Sequence, residues 1–327
     1  MVKDYKTGSL VPFDFQGLQQ NIPELFQLDC DITTIAFKKP MDSSNMNPLH
    51  WSKIARLIAD NYEAFDGFVI LHGSDTMSYT ASALSFMLED LNKPVIFTGS
   101  QLPIGDLRTD AKENLITALQ IASLIENGHP VVKEVGLYFE YKLYRGNRTT
   151  KINAEHFQAF RSMNYPTLIE SGVRLNINYP YLWPGNQNSA LKVHQRMDTR
   201  VALLKLFPGI GPLVVDAILH AQGLKVLVLE TFGAGNATTE DWFIKALESA
   251  IDNGLLIINV TQCVGGQVAM GQYATSERLL ELRLINGKDI TTEAAITKAM
   301  YLLGLELTSV EFAQLFETPL RGEMLQN

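Results

Sequence analysis

Short apolar runs alternate with stretches of helical period along most of the chain. Gly67-Phe68-Val69-Ile70-Leu71, Pro94-Val95-Ile96-Phe97 and Val135-Gly136-Leu137-Tyr138-Phe139 read as buried strands, and Ile32 to Phe37 reads as another. Trp51, Ile54, Leu57, Ile58 and Tyr62 share one helical face, opened by Asn47-Pro48, an N-cap residue followed by proline at the first helical position. Ala81, Leu84 and Leu88 mark a second helix, and Leu115, Ala118, Leu119 and Ala122 a third. Phe15, Leu18, Ile22 and Leu25 also recur at helical spacing. Strands alternating with helices imply right-handed crossovers and a mostly parallel sheet. Ligands of such sheets bind beyond the C-terminal strand ends, so the loops after Leu71, Phe97 and Phe139 are the places to search.

The pattern lapses between Asn176 and Arg196, a stretch rich in Asn, Pro and Tyr that reads as a linker or long connection. A second series then begins. Val201 to Leu206, Val226 to Leu229 and Leu255 to Val260 read as strands. Pro212 to His220, Thr239 to Ala250, Thr291 to Leu305 and Val310 to Phe316 read as helices. The fold class is therefore α/β with two domains: a larger N-terminal one, residues 1–190, with a mostly parallel sheet flanked by helices, and a smaller Rossmann-like C-terminal one, residues 191–327.

Composition narrows the function. Of 327 residues, 46% are hydrophobic and 19% charged, ordinary for a globular chain of this length. The net charge of -8 repels phosphate backbones, so no nucleic-acid partner is expected. Two distant cysteines, Cys30 and Cys263, make neither a disulfide framework nor a zinc cluster and fit a reduced, cytoplasmic setting. No apolar run approaches the ~20 residues of a membrane span. Met1 to Gly8 holds no apolar signal-peptide core, so neither membrane insertion nor export is expected.

The chemistry-bearing residues cluster at strand ends. His72-Gly73-Ser74-Asp75-Thr76-Met77 crowds hydroxyl and carboxylate groups where a helix begins, and free N–H groups there suit a carboxylate or oxyanion. Ser74 and Asp75 serve equally well as helix caps. His72, a lone histidine at a strand end, is read as structural. Asp42, Ser43 and Ser44 fit a grip on an amino acid's ammonium and carboxylate groups, and fit a plain turn as well. Tyr144-Arg145-Gly146-Asn147-Arg148-Thr149-Thr150-Lys151 follows a strand, where Arg and Lys are ordinarily solvated. A lysine brought out of water beside Ser74 and Asp75 would instead act as a base on the hydroxyl, a triad without histidine. Phe232-Gly233-Ala234-Gly235-Asn236 lacks phosphate-loop spacing and no G-x-S-x-G elbow occurs, which argues against nucleotide binding and a lipase-type hydrolase.

Together these segments resemble the cytoplasmic, type I branch of the bacterial L-asparaginases over nearly the whole chain. Gly67 to Met77 is similar to that family's second active-site motif, Asp42-Ser43-Ser44 to its substrate loop, Thr98-Gly99-Ser100-Gln101 to the next strand-end segment and Tyr144 to Lys151 to the segment bearing its lysine. Asn259 to Cys263 and Gly271 to Ala274 resemble type I segments of the second domain. The resemblance implies hydrolysis of L-asparagine to aspartate and ammonia through a β-aspartyl ester, without metal or organic cofactor, in a homo-oligomer, dimer or tetramer. It implies an activating relay of Ser74, Asp75 and Lys151, and substrate binding by Asp42, Ser43, Ser44, Ser74 and Asp75. Thr150, Thr261 and Cys263 match an effector site, but Glu230 stands where an arginine would meet the effector's carboxylate, so that regulation is not expected.

Two further departures matter. Ser74 stands in place of threonine. The family's first strand, ending in Thr-Gly-Gly-Thr and bearing the nucleophile, has no counterpart, and its mobile-loop tyrosine has no clear match near Tyr5 or Gly8-Ser9-Leu10. The native protein is expected to carry that strand upstream. The alternatives are a non-catalytic asparagine or aspartate binder, an asparaginase-like amidotransferase subunit, and an enzyme using Ser74 itself as nucleophile.

Overall fold

Asn47 caps the helix that its place before Pro48 indicates: its Oδ1 accepts from the N–H of Leu49 at 3.0 Å and opens α1 (Pro48–Asp60). In this computed structural model residues 2–3, 10–11, 22–39, 41–186, 188–271 and 274–326 are described. The first three apolar runs form β1 (Phe68–Leu71), β2 (Val95–Thr98) and β3 (Val135–Phe139), separated by α2 (Met77–Met87) and α3 (Ala111–Ala122). β1 pairs in parallel with β2, and β2 with β3. The chain then turns back through β4 (Lys142–Arg145), β5 (Ile169–Ser171) and β6 (Leu175–Ile177), all antiparallel, giving the order β6-β5-β4-β3-β2-β1. β2, β3 and nearly all of α2 are buried, so the sheet's centre and that helix form the core of this unit. The C-terminal ends of β1 and β2 open toward the loops at Ser74 and Gln101.

The edge of this sheet explains one failed expectation. Ile32 to Phe37 is irregular and largely exposed, not a strand. A strand's backbone needs a neighbour to pair with. Among the described residues β1 has β2 on one side and nothing on the other. Its sequence is Phe-Val-Ile-Leu throughout, yet Leu71 is 53% exposed. Such an all-apolar parallel strand is ordinarily flanked on both sides. Of the helical run that begins at Phe15, only Ile22 and Leu25 lie among the described residues. Pro23–Gln27 forms a 3-10 turn, and both apolar side chains pack on Leu115.

The connection between Asn176 and Arg196 is fastened to the first unit for most of its length. Asn92 donates its amide to the carbonyls of Asn186 and Ser189, and Lys192–Val193 pairs with Leu88–Glu89. The chain divides into two compact units, Met1–Ser162 with Pro166–Val193, and Met163–Tyr165 with His194–Asn327.

The second unit is a parallel sheet of β7 (Val201–Lys205), β8 (Val226–Thr231), β9 (Leu256–Thr261) and β10 (Ile285–Asn286), in that order. Its helices are α4 (Pro212–Leu219), α5 (Asp241–Asp252), α6 (Ala274–Glu281), α7 (Thr292–Gly304) and α8 (Ser309–Glu317). Val215, Leu219, Phe243 and Leu247 of α4 and α5 pack with Leu227, Leu229 and Ile257 of the sheet, while α7 lies against β7 and β8. No helix of the described residues is long and apolar enough to cross a membrane.

Candidate active site

The loop after β1 is set by two close approaches. His72 donates its N–H to the Thr98 carbonyl at 2.9 Å, continuing the β1–β2 ladder one residue past the strand. Gly73 then lies against the 3-10 turn Ser43–Asn45, so close that a Cβ there would sit 2.6 Å from Ser43 Oγ. Thr76 closes the junction, its hydroxyl donating to the Ser43 carbonyl at 2.7 Å. Ser74–Thr76 is itself a 3-10 turn leading into α2. The backbone N–H groups of Ser74 and Asp75 meet no acceptor among the described residues, as the first turn of a helix leaves them.

Lys151 reaches this loop from the far side. Gly146–Arg148 packs on α2, and Thr149 bonds to Ser78 of that helix at 3.3 Å. The following pair, Thr150–Lys151, is held extended by an antiparallel ladder with Phe160–Arg161. Lys151 Nζ thereby stands 2.9 Å from Ser74 Oγ and 2.6 Å from Asp75 Oδ1. The lysine side chain is 18% exposed and that of Asp75 61%, so the pair lies at the mouth of the site with the amine on its inner side. The two arginines of this segment are not solvated, contrary to expectation. Arg148 is buried, and Arg145 pairs with the buried Glu134 at 2.6 Å while donating to the Tyr181 carbonyl.

Gln101 was not among the site residues expected from the sequence. Both hydrogens of its Nε2 go to the carbonyls of Ala154 and His156, each at 3.1 Å. Its Oε1 therefore faces Ser74 and accepts the serine hydroxyl at 3.0 Å. Asp110 anchors the loop by accepting the N–H groups of Gln101 and Leu102. The available signals were its position, just after the C-terminal end of β2, and the likeness of Thr98-Gly99-Ser100-Gln101 to a strand-end segment of the resembled family.

Asp42 caps its own turn, accepting the Ser44 N–H at 2.8 Å, and that bond holds its carboxyl below the usual carboxylate range. Ser43 is buried against Gly73, while Ser44 is exposed. His72 is held neutral by burial, which lowers its pKa.

The residues matched to an effector site fall in different units. Thr150 lies beside Lys151 in the first. In the second, the Thr261 hydroxyl donates to the Gly233 carbonyl at 2.6 Å and accepts the N–H of the exposed Cys263. Glu230 accepts the Thr292 hydroxyl at 2.6 Å and lies 3.3 Å from Lys205, so its charge is already met. Among the described residues no group of His, Cys, Asp and Glu is arranged to hold a metal ion.

Residues 1–182 match the model of the asparaginase N-terminal domain, and residues 200–316 that of the glutaminase/asparaginase C-terminal domain. The chain is 44% identical over 295 residues to L-asparaginase 1 of Escherichia coli, spanning 90% of this chain and 85% of that protein. It is 30% identical over 336 residues to a glutamyl-tRNA(Gln) amidotransferase component of Pyrococcus abyssi, covering 98% of this chain and 73% of that one. The crystal structure of L-asparaginase I from Vibrio cholerae superposes with a TM-score of 0.89 at 38% identity, over 99% of this chain and 96% of that one.

Proposed function

The chain belongs to the asparaginase family and is an amidohydrolase, and from that premise we propose that it hydrolyses L-asparagine to L-aspartate and ammonia at the site formed by Ser74, Asp75 and Lys151. The observation that carries this reading is the convergence of the Lys151 amine on a hydroxyl and a carboxylate from a separate loop. The free N–H groups of Ser74 and Asp75, with the hydroxyl of Ser43 beside them, take the substrate's α-carboxylate. Asp75 and the second oxygen of Asp42 take its α-ammonium, and Ser44 shapes the turn that presents Asp42. The substrate's side-chain amide then lies over Ser74.

No Thr-Gly-Gly-Thr run occurs in the sequence. We place the attacking hydroxyl on an additional strand paired with the apolar edge of β1 that has no neighbour among the described residues. Its oxygen adds to the amide carbon, the C–N bond breaks, and ammonia leaves with the proton relayed through Ser74 and Lys151. Water then cleaves the ester to release aspartate. In the resting arrangement the Ser74 hydroxyl donates to Gln101 and accepts from Lys151, so relay requires that hydroxyl to turn from the amide to the amine. The working form is read as a cytoplasmic homo-oligomer.

The test is ammonia release from L-asparagine, with and without a restored strand at the β1 edge, alongside Lys151→Met. Turnover that depends on both the strand and the lysine supports the reading. Tight binding of L-aspartate with no ammonia release from either form would favour the binding protein instead.

A further inference from the structure

A single chain of hydrogen bonds runs from α1 to the loop after β1 through His72. The Trp51 indole N–H lies 3.1 Å from Thr80 Oγ1, which lies 2.9 Å from His72 Nε2, and His72 Nδ1 lies 2.7 Å from the Gly73 carbonyl oxygen. The two ends fix the direction. An indole N–H only donates and a carbonyl only accepts. Nδ1 therefore carries the proton, and Nε2 of the neutral ring accepts from the Thr80 hydroxyl, which accepts in turn from Trp51. Burial keeps the ring neutral, and Phe97 meets it edge-on with ring centroids 5.9 Å apart.

Gly73 needs such a partner. Its closeness to Ser43 excludes any side chain, and a residue without Cβ leaves the following peptide unusually free to rotate. That peptide is trans, so its carbonyl and the Ser74 N–H point in opposite directions. We propose that His72 is a positioning residue: by holding the Gly73 carbonyl, its Nδ1–H turns the Ser74 N–H away from the protein interior and toward the substrate's α-carboxylate. This rests on the reading above, that Ser74 and Asp75 bind that carboxylate. His72 itself touches no substrate.

Two variants separate this role from plain structural support. In His72→Asn the amide nitrogen takes the place of Nδ1 and keeps the bond to Gly73, while the link to Thr80 is lost. In His72→Gln the longer amide reaches Thr80 and abandons Gly73. Binding of L-aspartate to the full chain is measured by titration calorimetry, with the melting temperature of each variant alongside. His72→Asn is expected to hold its Kd within about threefold despite a lower melting temperature, whereas His72→Gln weakens binding about tenfold or more, the worth of one hydrogen bond to a charged group. Affinities that follow the melting temperatures, or that fall equally in both variants, overturn the positioning role. Absence of L-aspartate binding in the unaltered chain overturns the substrate-site reading, and this inference with it.

Discussion

Gly73 and Ser43 touch where the two loops of the site meet, and a Cβ on the glycine would lie 2.6 Å from the serine Oγ and 2.8 Å from its Cβ. The two loops are separate in sequence, so this contact, together with the bond from Thr76 to the Ser43 carbonyl, sets the distance between Asp42 and Asp75. Gly73→Ala forces the loops apart. Overpacking of this kind costs about 1–3 kcal/mol of stability. Its larger effect falls on positioning, where a displacement of about an ångström can reduce turnover about a hundredfold. Ammonia release by the strand-restored form and a thermal melt on the same preparation check this, and full turnover in the alanine variant would separate the Asp42 loop from the site.

Lys151→Met removes the amine that faces Ser74 and Asp75. Loss of a general acid–base group lowers turnover by about 10²–10⁴. The fold is expected to remain, because Asp75 is largely exposed and such an ion pair contributes only about 0–1 kcal/mol. The check is turnover in the strand-restored form, with circular dichroism and the melting temperature as controls. Unchanged turnover would show that the base lies elsewhere.

Acid should weaken the structure around His72. Histidine in an unfolded chain takes up its proton near pH 6.5, while burial keeps His72 neutral to a lower pH in the folded protein. The unfolded state therefore binds the proton first. The contribution is complete above about pH 6.5 and is lost as pH falls through the lower, folded value. The groups that meet the ring, Thr80, the Gly73 carbonyl and Phe97, are uncharged; the bond to the Gly73 carbonyl favours the protonated ring, but burial acts the other way and is the larger effect. Between about pH 7 and about pH 5 the melting temperature of the unaltered chain is expected to fall more steeply than that of His72→Asn, because the carboxylates titrate in both. Parallel curves would remove His72 from the acid response.

Legibility in the sequence followed the range of each interaction. The apolar runs at Phe68, Val95 and Val135 disclosed their strands, and Asn47-Pro48 disclosed a helix start, because each depends on neighbours a few residues away. Ile32 to Phe37 has strand chemistry without a strand, since pairing depends on a partner that no local pattern reports. Arg145 looked solvated because Glu134 meets it across a hairpin, eleven residues back in the chain. Lys151 and Ser74 are 77 residues apart, so their meeting was accessible through family resemblance and strand-end placement, not through spacing. Gln101 escaped because an amide at a strand end has no distinctive signature, and its role follows only from the two carbonyls that fix its orientation.

The hairpin joining β3 to β4 offers a stabilising change. Phe139 pairs with Lys142, leaving Glu140 and Tyr141 as a two-residue turn with φ of 46° and 66°. Two consecutive left-handed residues make a type I′ turn, which favours Asn-Gly. Here neither residue is glycine, and each left-handed non-glycine residue costs about 1–2 kcal/mol. Glu140 carries a second cost: burial, then Asp110 and Glu113, raise its carboxyl pKa, so its charge is disfavoured where it stands. Tyr141 is half exposed and its side chain contributes little packing to offset the strain. The double substitution Glu140→Asn with Tyr141→Gly keeps the Glu140 N–H bond to Asn114 Oδ1, because only side chains change. It is expected to raise stability by about 1–2 kcal/mol, a gain of a few degrees in melting temperature. An unchanged or lower melting temperature would mean that the side chains of Glu140 and Tyr141 make contributions that outweigh the strain of their backbone.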